Sequence, residues 1–309
     1  VTLRRRHDIW DIAIVGGGIA GLTAAWHAMR RGMAPCLFEP QPGFGGQVAT
    51  VNHIDDWPAT GPVSGVELAA GLAAGLSHEI IGIYNEPVSK VEREGGLLRV
   101  SSSSTSVRAR CVIAASGGRL RTLGVPGEEQ LRGKGVSQCA DCDGGFFRNQ
   151  DVVVVGGGDA ALQEALVLAE TSAAVTIVSR SRLKARSAYV ERAAGKPNVR
   201  FVWDSTVDAI HGTEGVTGVR VRNVLTGATS DLPCSGVFPF IGVEPQAAYL
   251  PPSVKRDAAA CVVTDARLRT NIEGLFAIGA VRAGYGGDLV SAAGEAALAV
   301  AVAAREVIP

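Results

Sequence analysis

Two cysteines, Cys139 and Cys142, stand three positions apart in the stretch QCADCDGGFFRNQ. A Cys-x-x-Cys turn can close a disulfide, and it can hold a thiolate at a pKa of about 7, the form that exchanges disulfides. Half of a zinc site is the rival reading, but tetrahedral zinc wants a second pair of ligands at similar spacing. The other cysteines, Cys36, Cys111, Cys234 and Cys261, are scattered singly, and no histidine lies close to the pair. The spacing therefore favours redox chemistry, with no metal. A glycine cluster at 156–158 follows almost at once, which places a nucleotide beside the thiols and points to electrons passing between them.

That cluster is the second of two glycine fingerprints. The first reads Gly16-x-Gly18-x-x-Gly21, between the strand-like DIAIV and the helix-like GLTAAWHAMRRG. One glycine makes the tight turn, the next admits a pyrophosphate, and the third packs helix on strand. The phosphates then meet the free N–H groups at the helix N-terminus. Glu39 closes the following strand, where an acid can accept ribose hydroxyls. The second fingerprint reads Gly156-x-Gly158-x-x-Ala161, with Asp159 and Ala160 at the helix start. Glu39 lies 21 residues past Gly18, and Ser179 lies 21 past Gly158. Ser179 thus replaces the ribose acid, and Arg180, Arg182, Lys184 and Arg186 follow it. Loss of the acid with gain of cations is how a site takes a 2′-phosphate. Two sites imply two nucleotides, most simply a flavin and a nicotinamide.

The elements that must position these groups are strands and helices in alternation. The fold class is α/β, with two Rossmann-like dinucleotide-binding domains and the second inserted into the first. Residues 1–117 and 245–309 are expected to form the discontinuous first domain, and 118–244 the inserted one carrying the cysteines. A Gly/Pro-rich excursion at 40–65 has the length of a functional loop. A helix is expected over Val66–Ser77, short strands over 199–240, and a buried strand in GLFAIGAV at 274–281. A last helix begins near Leu289 and needs the first domain's sheet beneath it. Ser116-Gly117-Gly118 and Gly242–Pro245 are candidate hinges.

Composition narrows the partners. The chain has 309 residues, with 30 basic against 30 acidic, so nothing points to nucleic acid or an anionic membrane. The Arg4–Arg6 triplet reads as a solvated arm. Apolar residues make up 47 %, rich in Ala and Gly, as closely packed parallel sheets require. The longest near-apolar run, Ala296–Ala304, is too short to span a bilayer. The charged start lacks the apolar core of a signal peptide. Six cysteines in so large a chain are no disulfide framework, so a cytoplasmic setting is expected.

The chain resembles the low-molecular-weight thioredoxin reductase family almost end to end. The resemblance is carried by GGGIAGLTAA, FGGQV with DDWP, AASG, LGVPGEEQLRGKGVSQCADCDGGFFRNQ, VVGGGDAALQEA, and GLFAIGAVR with SAAG. It implies a homodimer with FAD in the discontinuous domain, NADPH in the inserted one, and a thioredoxin-like protein disulfide as electron acceptor. By that resemblance Cys142 faces the flavin, Cys139 exchanges with the partner, and Asp143 is the acid/base. It also brings Ala20, Gly46, Gln47, Gly117, Gly279, Ala280, Asp288 and Leu289 to the FAD site beside Gly16, Gly18, Gly21 and Glu39. Departures are Ala280 where an Asp usually meets the flavin, Gly287-Asp288 for an Arg-Gln pair, Asp56 for an Asn, and Asp141 between the cysteines. The usual His-Arg-Arg-x-x-x-Arg phosphate motif reads Ser179-Arg180-Ser181-Arg182-Leu183-Lys184. Two other functions stay open on the residues: a flavin-dependent dithiol oxidase that needs no NADPH, and an idle flavin-binding or redox-sensing protein.

Overall fold

The computed structural model describes residues 9–54, 57–58, 60–76 and 81–307; Arg4–Arg6, Asp56 and Ser77 lie outside them. The chain divides into two compact units, Val1–Arg119 with Glu244–Pro309, and Leu120–Val243.

The first unit opens with strand β1 (Ile9–Val15), helix α1 (Ile19–Arg30) and strand β2 (Pro35–Phe38). Helix α2 (Gly65–Ala74) and strands β3 (Gly82–Tyr84), β4 (Lys90–Glu94), β5 (Leu97–Ser101) and β6 (Ser106–Ala114) follow. α2 starts one residue before the expected helix because Ser64 and Glu67 close a reciprocal capping box there. The strands form one sheet in the order β3-β2-β1-β6-β5-β4, parallel up to β6 and antiparallel beyond it. Period-2 alternation sends β1 to both faces. Ile12 and Ile14 go to the cluster holding Leu22 and Ala25 of α1, and Ala13 and Val15 to the opposite one with Phe38 and Val112.

The second unit carries the short helix α3 (Ala140–Asp143), strand β8 (Asp151–Val155), helix α4 (Asp159–Ala169) and strand β9 (Ala174–Val178). Helix α5 (Ser187–Ala194) and strands β10 (Val199–Val202), β11 (Ser205–Gly212), β12 (Val216–Asn223), β13 (Thr229–Pro233) and β14 (Gly236–Pro239) complete it. Four strands run parallel in the order β10-β9-β8-β14, and β11-β12-β13 make a separate antiparallel sheet. One face of the parallel sheet packs Val152, Val154 and Phe238 against Leu162 and Ala165 of α4. The other packs Val153, Val155 and Val237 against Val207, Val219 and Val221 of the antiparallel sheet.

The chain passes between units on two short strands, β7 (Gly118–Leu120) and β15 (Val243–Pro245), which pair with each other. Strand β16 (Leu275–Ala277) then adds to β6 in parallel, and helix α6 (Leu289–Val307) packs Ala296, Ala299, Val300 and Ala303 into the α1 side of the first sheet. Small residues on both helices permit this close approach. The chain thus folds as an α/β protein with two Rossmann-like units, the second interrupting the first.

Candidate active site

In the first unit the glycines of the fingerprint are required sterically. Gly16 has φ +111°, and a Cβ there would lie 2.4 Å from the Ala115 carbonyl oxygen. A Cβ on Gly21 would lie 1.8 Å from the Gly16 oxygen, so the third glycine lets α1 reach the turn. Gly18 is the N-cap of α1 and brings no side chain to it, and no acid occupies the first turn. The free N–H groups there therefore remain available to an anion.

Glu39 follows β2 directly and is buried; its carboxylate accepts the Gly17 N–H at 2.6 Å and the Gln41 N–H at 2.9 Å. A carboxylate offers about four acceptor positions, so two remain for hydroxyls. The 40–65 excursion is tied back onto this turn, because Gly45 N–H donates to the Gly17 oxygen at 2.9 Å and Gly45 bridges Gly18. Gly46 and Gln47 begin a 3-10 turn there, and the Gln47 amide donates to the Gly118 carbonyl. Gly117, at φ +66°, accepts the Gln246 N–H through its carbonyl at 2.9 Å. Gly279 lies against Ala20, and its N–H donates to Glu295 at 2.7 Å, which fixes the turn bearing Ala280. Leu289 packs in a cluster with Ile19, while the Asp288 carboxylate caps α6 by accepting the Ser291 N–H at 2.7 Å. The expected residues of this unit are thus gathered around one glycine turn, and the Asp288 carboxylate also caps α6. The cradle and buried acid fit a dinucleotide.

The second unit repeats the geometry. Gly156 has φ +147°, a Cβ there would lie 2.2 Å from the Phe240 oxygen, and Gly158 caps α4 with open space around it. Ser179 stands over Gly157 as Glu39 stands over Gly17. Its hydroxyl donates to the Ser181 carbonyl at 2.8 Å and offers no charge. The following loop curls back, since Lys184 N–H donates to the Gly157 oxygen at 2.7 Å. Arg186 is taken by Asp159, Nε to Oδ2 at 2.8 Å, so both charges are occupied. Arg180, Arg182 and Lys184 are exposed and form no ion pair among the described residues. Ala160 sits in the first turn of α4. A cleft of about 390 Å³ opens beside this loop, with Arg182, Leu183, Glu191 and Trp203 among its walls.

Cys139 and Cys142 are joined as a disulfide with Cα atoms 5.3 Å apart. Cys139 is the N-cap of α3, and its sulfur accepts the Cys142 N–H at 3.1 Å. Asp143 ends α3 half-buried, its N–H donating to the Cys139 oxygen at 3.1 Å. Cys142 is exposed and Cys139 half-buried. Phe147 pins the turn to the core, edge-on to Phe238 at 5.3 Å, and Phe146 beside it is 77 % exposed. Three of the remaining cysteines are buried, and Cys261 is half-buried. Burial pushes the Cys111 and Cys234 thiols up to about 12 and raises Cys36 well above its usual value.

Sequence reasoning missed Glu164. It lies on the inner side of α4 between the buried Ala161, Ala165 and Leu168, and its carboxylate accepts the Ala140 N–H at 2.6 Å. Burial raises its carboxyl to about 7, against the lowering effect of that amide and with a further push from the Asp141 charge. A lone acid at helical spacing among apolar residues was the available signal.

Comparison with known proteins finds relatives along most of the chain. The chain is 37 % identical over 297 residues to a thioredoxin reductase of Treponema pallidum, covering 96 % of each. It is 37 % identical to that of Streptomyces coelicolor, over 89 % of this chain and 86 % of the relative. The solved thioredoxin reductase of Lactococcus lactis superposes with a TM-score of 0.92 at 34 % identity, covering 97 % of this chain and 99 % of that one. Residues 10–303 match the pyridine nucleotide-disulphide oxidoreductase family, and the chain belongs to it.

Proposed function

We propose that this protein is a thioredoxin-reductase-like enzyme that moves two electrons from NADPH through FAD to Cys139–Cys142, and from there to a protein disulfide. The observation that carries the reading is a Cys-x-x-Cys disulfide on a turn packed against the helix of a glycine fingerprint, within one folded unit. FAD belongs with the first unit, where Glu39 is placed for ribose hydroxyls and Gly16, Gly18, Ala20, Gly21, Gly46, Gln47, Gly117, Gly279, Ala280 and Leu289 surround the turn. NADPH belongs with the second, through Gly156, Gly158 and Ala160 at the phosphates and Arg180, Arg182 and Lys184 at the 2′-phosphate. When bound, the flavin and nicotinamide supply the two-electron transfer.

The chain's own residues handle sulfur and protons. One thiolate of the reduced pair attacks the partner's disulfide, forming a mixed disulfide and expelling one partner thiolate. The second enzyme sulfur then attacks that bond, which restores Cys139–Cys142 and releases the partner dithiol. Asp143, next to Cys142, is the candidate to hand the departing thiolate its proton. The exposed Phe146 gives a partner an apolar contact beside the pair. The second unit's intact fingerprint with its free cations favours a nicotinamide donor over a dithiol oxidase.

Single-cysteine variants test the reading. We assign Cys139 to the partner and Cys142 to the flavin from the family resemblance alone; exposure, greater at Cys142, does not carry that assignment. Cys139→Ser and Cys142→Ser should each lose NADPH-driven disulfide reduction while keeping NADPH-driven bleaching of the flavin. Cys142→Ser should trap the partner as a mixed disulfide. Disulfide turnover surviving unchanged in either variant would remove the pair from catalysis and overturn the proposal. Flavin that NADPH cannot bleach, but a small dithiol can, would favour the oxidase.

A further inference from the structure

The redox turn rests on a carboxylate that a structural role alone does not require. The Ala140 N–H, between the two cysteines, needs one acceptor, and Glu164 supplies it. A neutral amide or hydroxyl would satisfy that donor at lower cost than an acid packed among apolar residues. Glu164 forms no ion pair among the described residues, so no cation offsets its charge. Charged groups on the elements packed against α4 are Asp141 and Asp143 on the redox turn, Asp151 on β8, and Glu191 and Arg192 on α5. Of these only Asp141 acts on Glu164, and it has the same sign. On α4 itself Asp159 is held by Arg186.

We propose that Glu164 is a positioning residue for the Cys139–Cys142 pair, anchoring the turn through the Ala140 amide and setting by its charge how readily the disulfide is reduced. The inference rests on the redox reading of that pair given above. Reduction breaks the S–S bond with two electrons, and the two sulfurs take up two protons, or one where a thiolate persists. A carboxylate beside the turn opposes that thiolate by like-charge repulsion, and the thiolate in turn strengthens the carboxyl's hold on its proton. With the carboxyl raised to about 7, mainly by burial, Glu164 is neutral in mild acid and charged above neutrality. Its charge therefore works against the reduced pair only on the alkaline side, which couples the pair's reduction to pH.

The experiment equilibrates the flavin-loaded protein, Glu164→Gln and Glu164→Leu anaerobically with mixtures of reduced and oxidised dithiothreitol, between about pH 5.5 and 8.5. After acid quenching and alkylation, mass spectrometry of the peptide bearing Cys139 and Cys142 gives the dithiol fraction. Glu164→Gln keeps the acceptor and removes the charge. Above neutrality its pair should be reduced about 3- to 10-fold more readily than the parent's, and below about pH 6 the two should converge. Glu164→Leu, which also loses the acceptor, should in addition show faster amide exchange at Ala140. Superimposable pH profiles for parent and Glu164→Gln, with a pair that is reducible in both, overturn this inference alone. A parent pair that no dithiothreitol ratio reduces overturns it together with the redox reading. Glu164→Gln decides the matter if Glu164→Leu fails to fold.

Discussion

Ser179 directly follows β9 as Glu39 follows β2, and they lie against Gly157 and Gly17, the residues between the first two fingerprint glycines. One change of residue type thus removes a ribose acceptor, and the exposed Arg180, Arg182 and Lys184 put positive charge in the same loop. A charge-assisted hydrogen bond contributes roughly 1.5–3 kcal/mol, so one contact to a 2′-phosphate predicts NADPH over NADH by about 10- to 100-fold in kcat/KM. Arg180→Ala should erase most of that preference and leave the NADH reaction nearly untouched. Parity between donors in the parent protein would sink the phosphate reading. The equal spacing of 21 residues made this correspondence legible, because strand, turn and helix have fixed rises and repeat in both units. The pairing of Arg186 with Asp159 was not legible, and Glu164 showed only as a lone acid among apolar positions, without its partner Ala140. Each depends on which side chains a loop or helix face brings together, and local pattern does not encode that.

Among the elements, α6 shows how a position expected at one task takes part in another. Asp288 precedes the helix and was expected along the flavin, yet its carboxylate accepts the Ser291 N–H, and its carbonyl accepts the Tyr285 hydroxyl at 2.6 Å. As an N-cap it contributes about 1 kcal/mol. Asp288→Ala should then lower the thermal midpoint by about 2–4 °C while flavin content, measured by absorbance after purification, stays that of the parent. Loss of flavin from a variant that still folds would make the carboxylate a ligand rather than a cap. Helix starts were readable wherever such signals exist, as with Ser64 and Glu67 at α2. Sheet membership was less so. The short strands over 199–240 were expected as strands, but their division into a parallel edge at β10 and the separate sheet β11-β12-β13 depends on long-range register.

For the molecule as a whole, the second unit is one continuous stretch whose ends are held together, since Arg121 N–H donates to the Gly242 oxygen at 2.9 Å. Residues 120–243 produced alone should unfold cooperatively by circular dichroism and bind NADPH without any flavin. A fragment with no cooperative transition would show that the unit depends on the rest of the chain. An insertion could be read from the sequence because the last helix needs the first unit's sheet, which brings the chain back to that unit after the second fingerprint. The Rossmann-like units also treat sulfur unequally. Cys36 and Cys111 lie inside the first unit and Cys234 inside the second, all with burial holding the thiol protonated. Selectivity of electron flow is therefore partly a matter of insulation: the packing that builds each core also withdraws three nucleophiles, so an oxidant or thiol reagent in solution meets the redox turn and the half-buried Cys261 alone among the described cysteines.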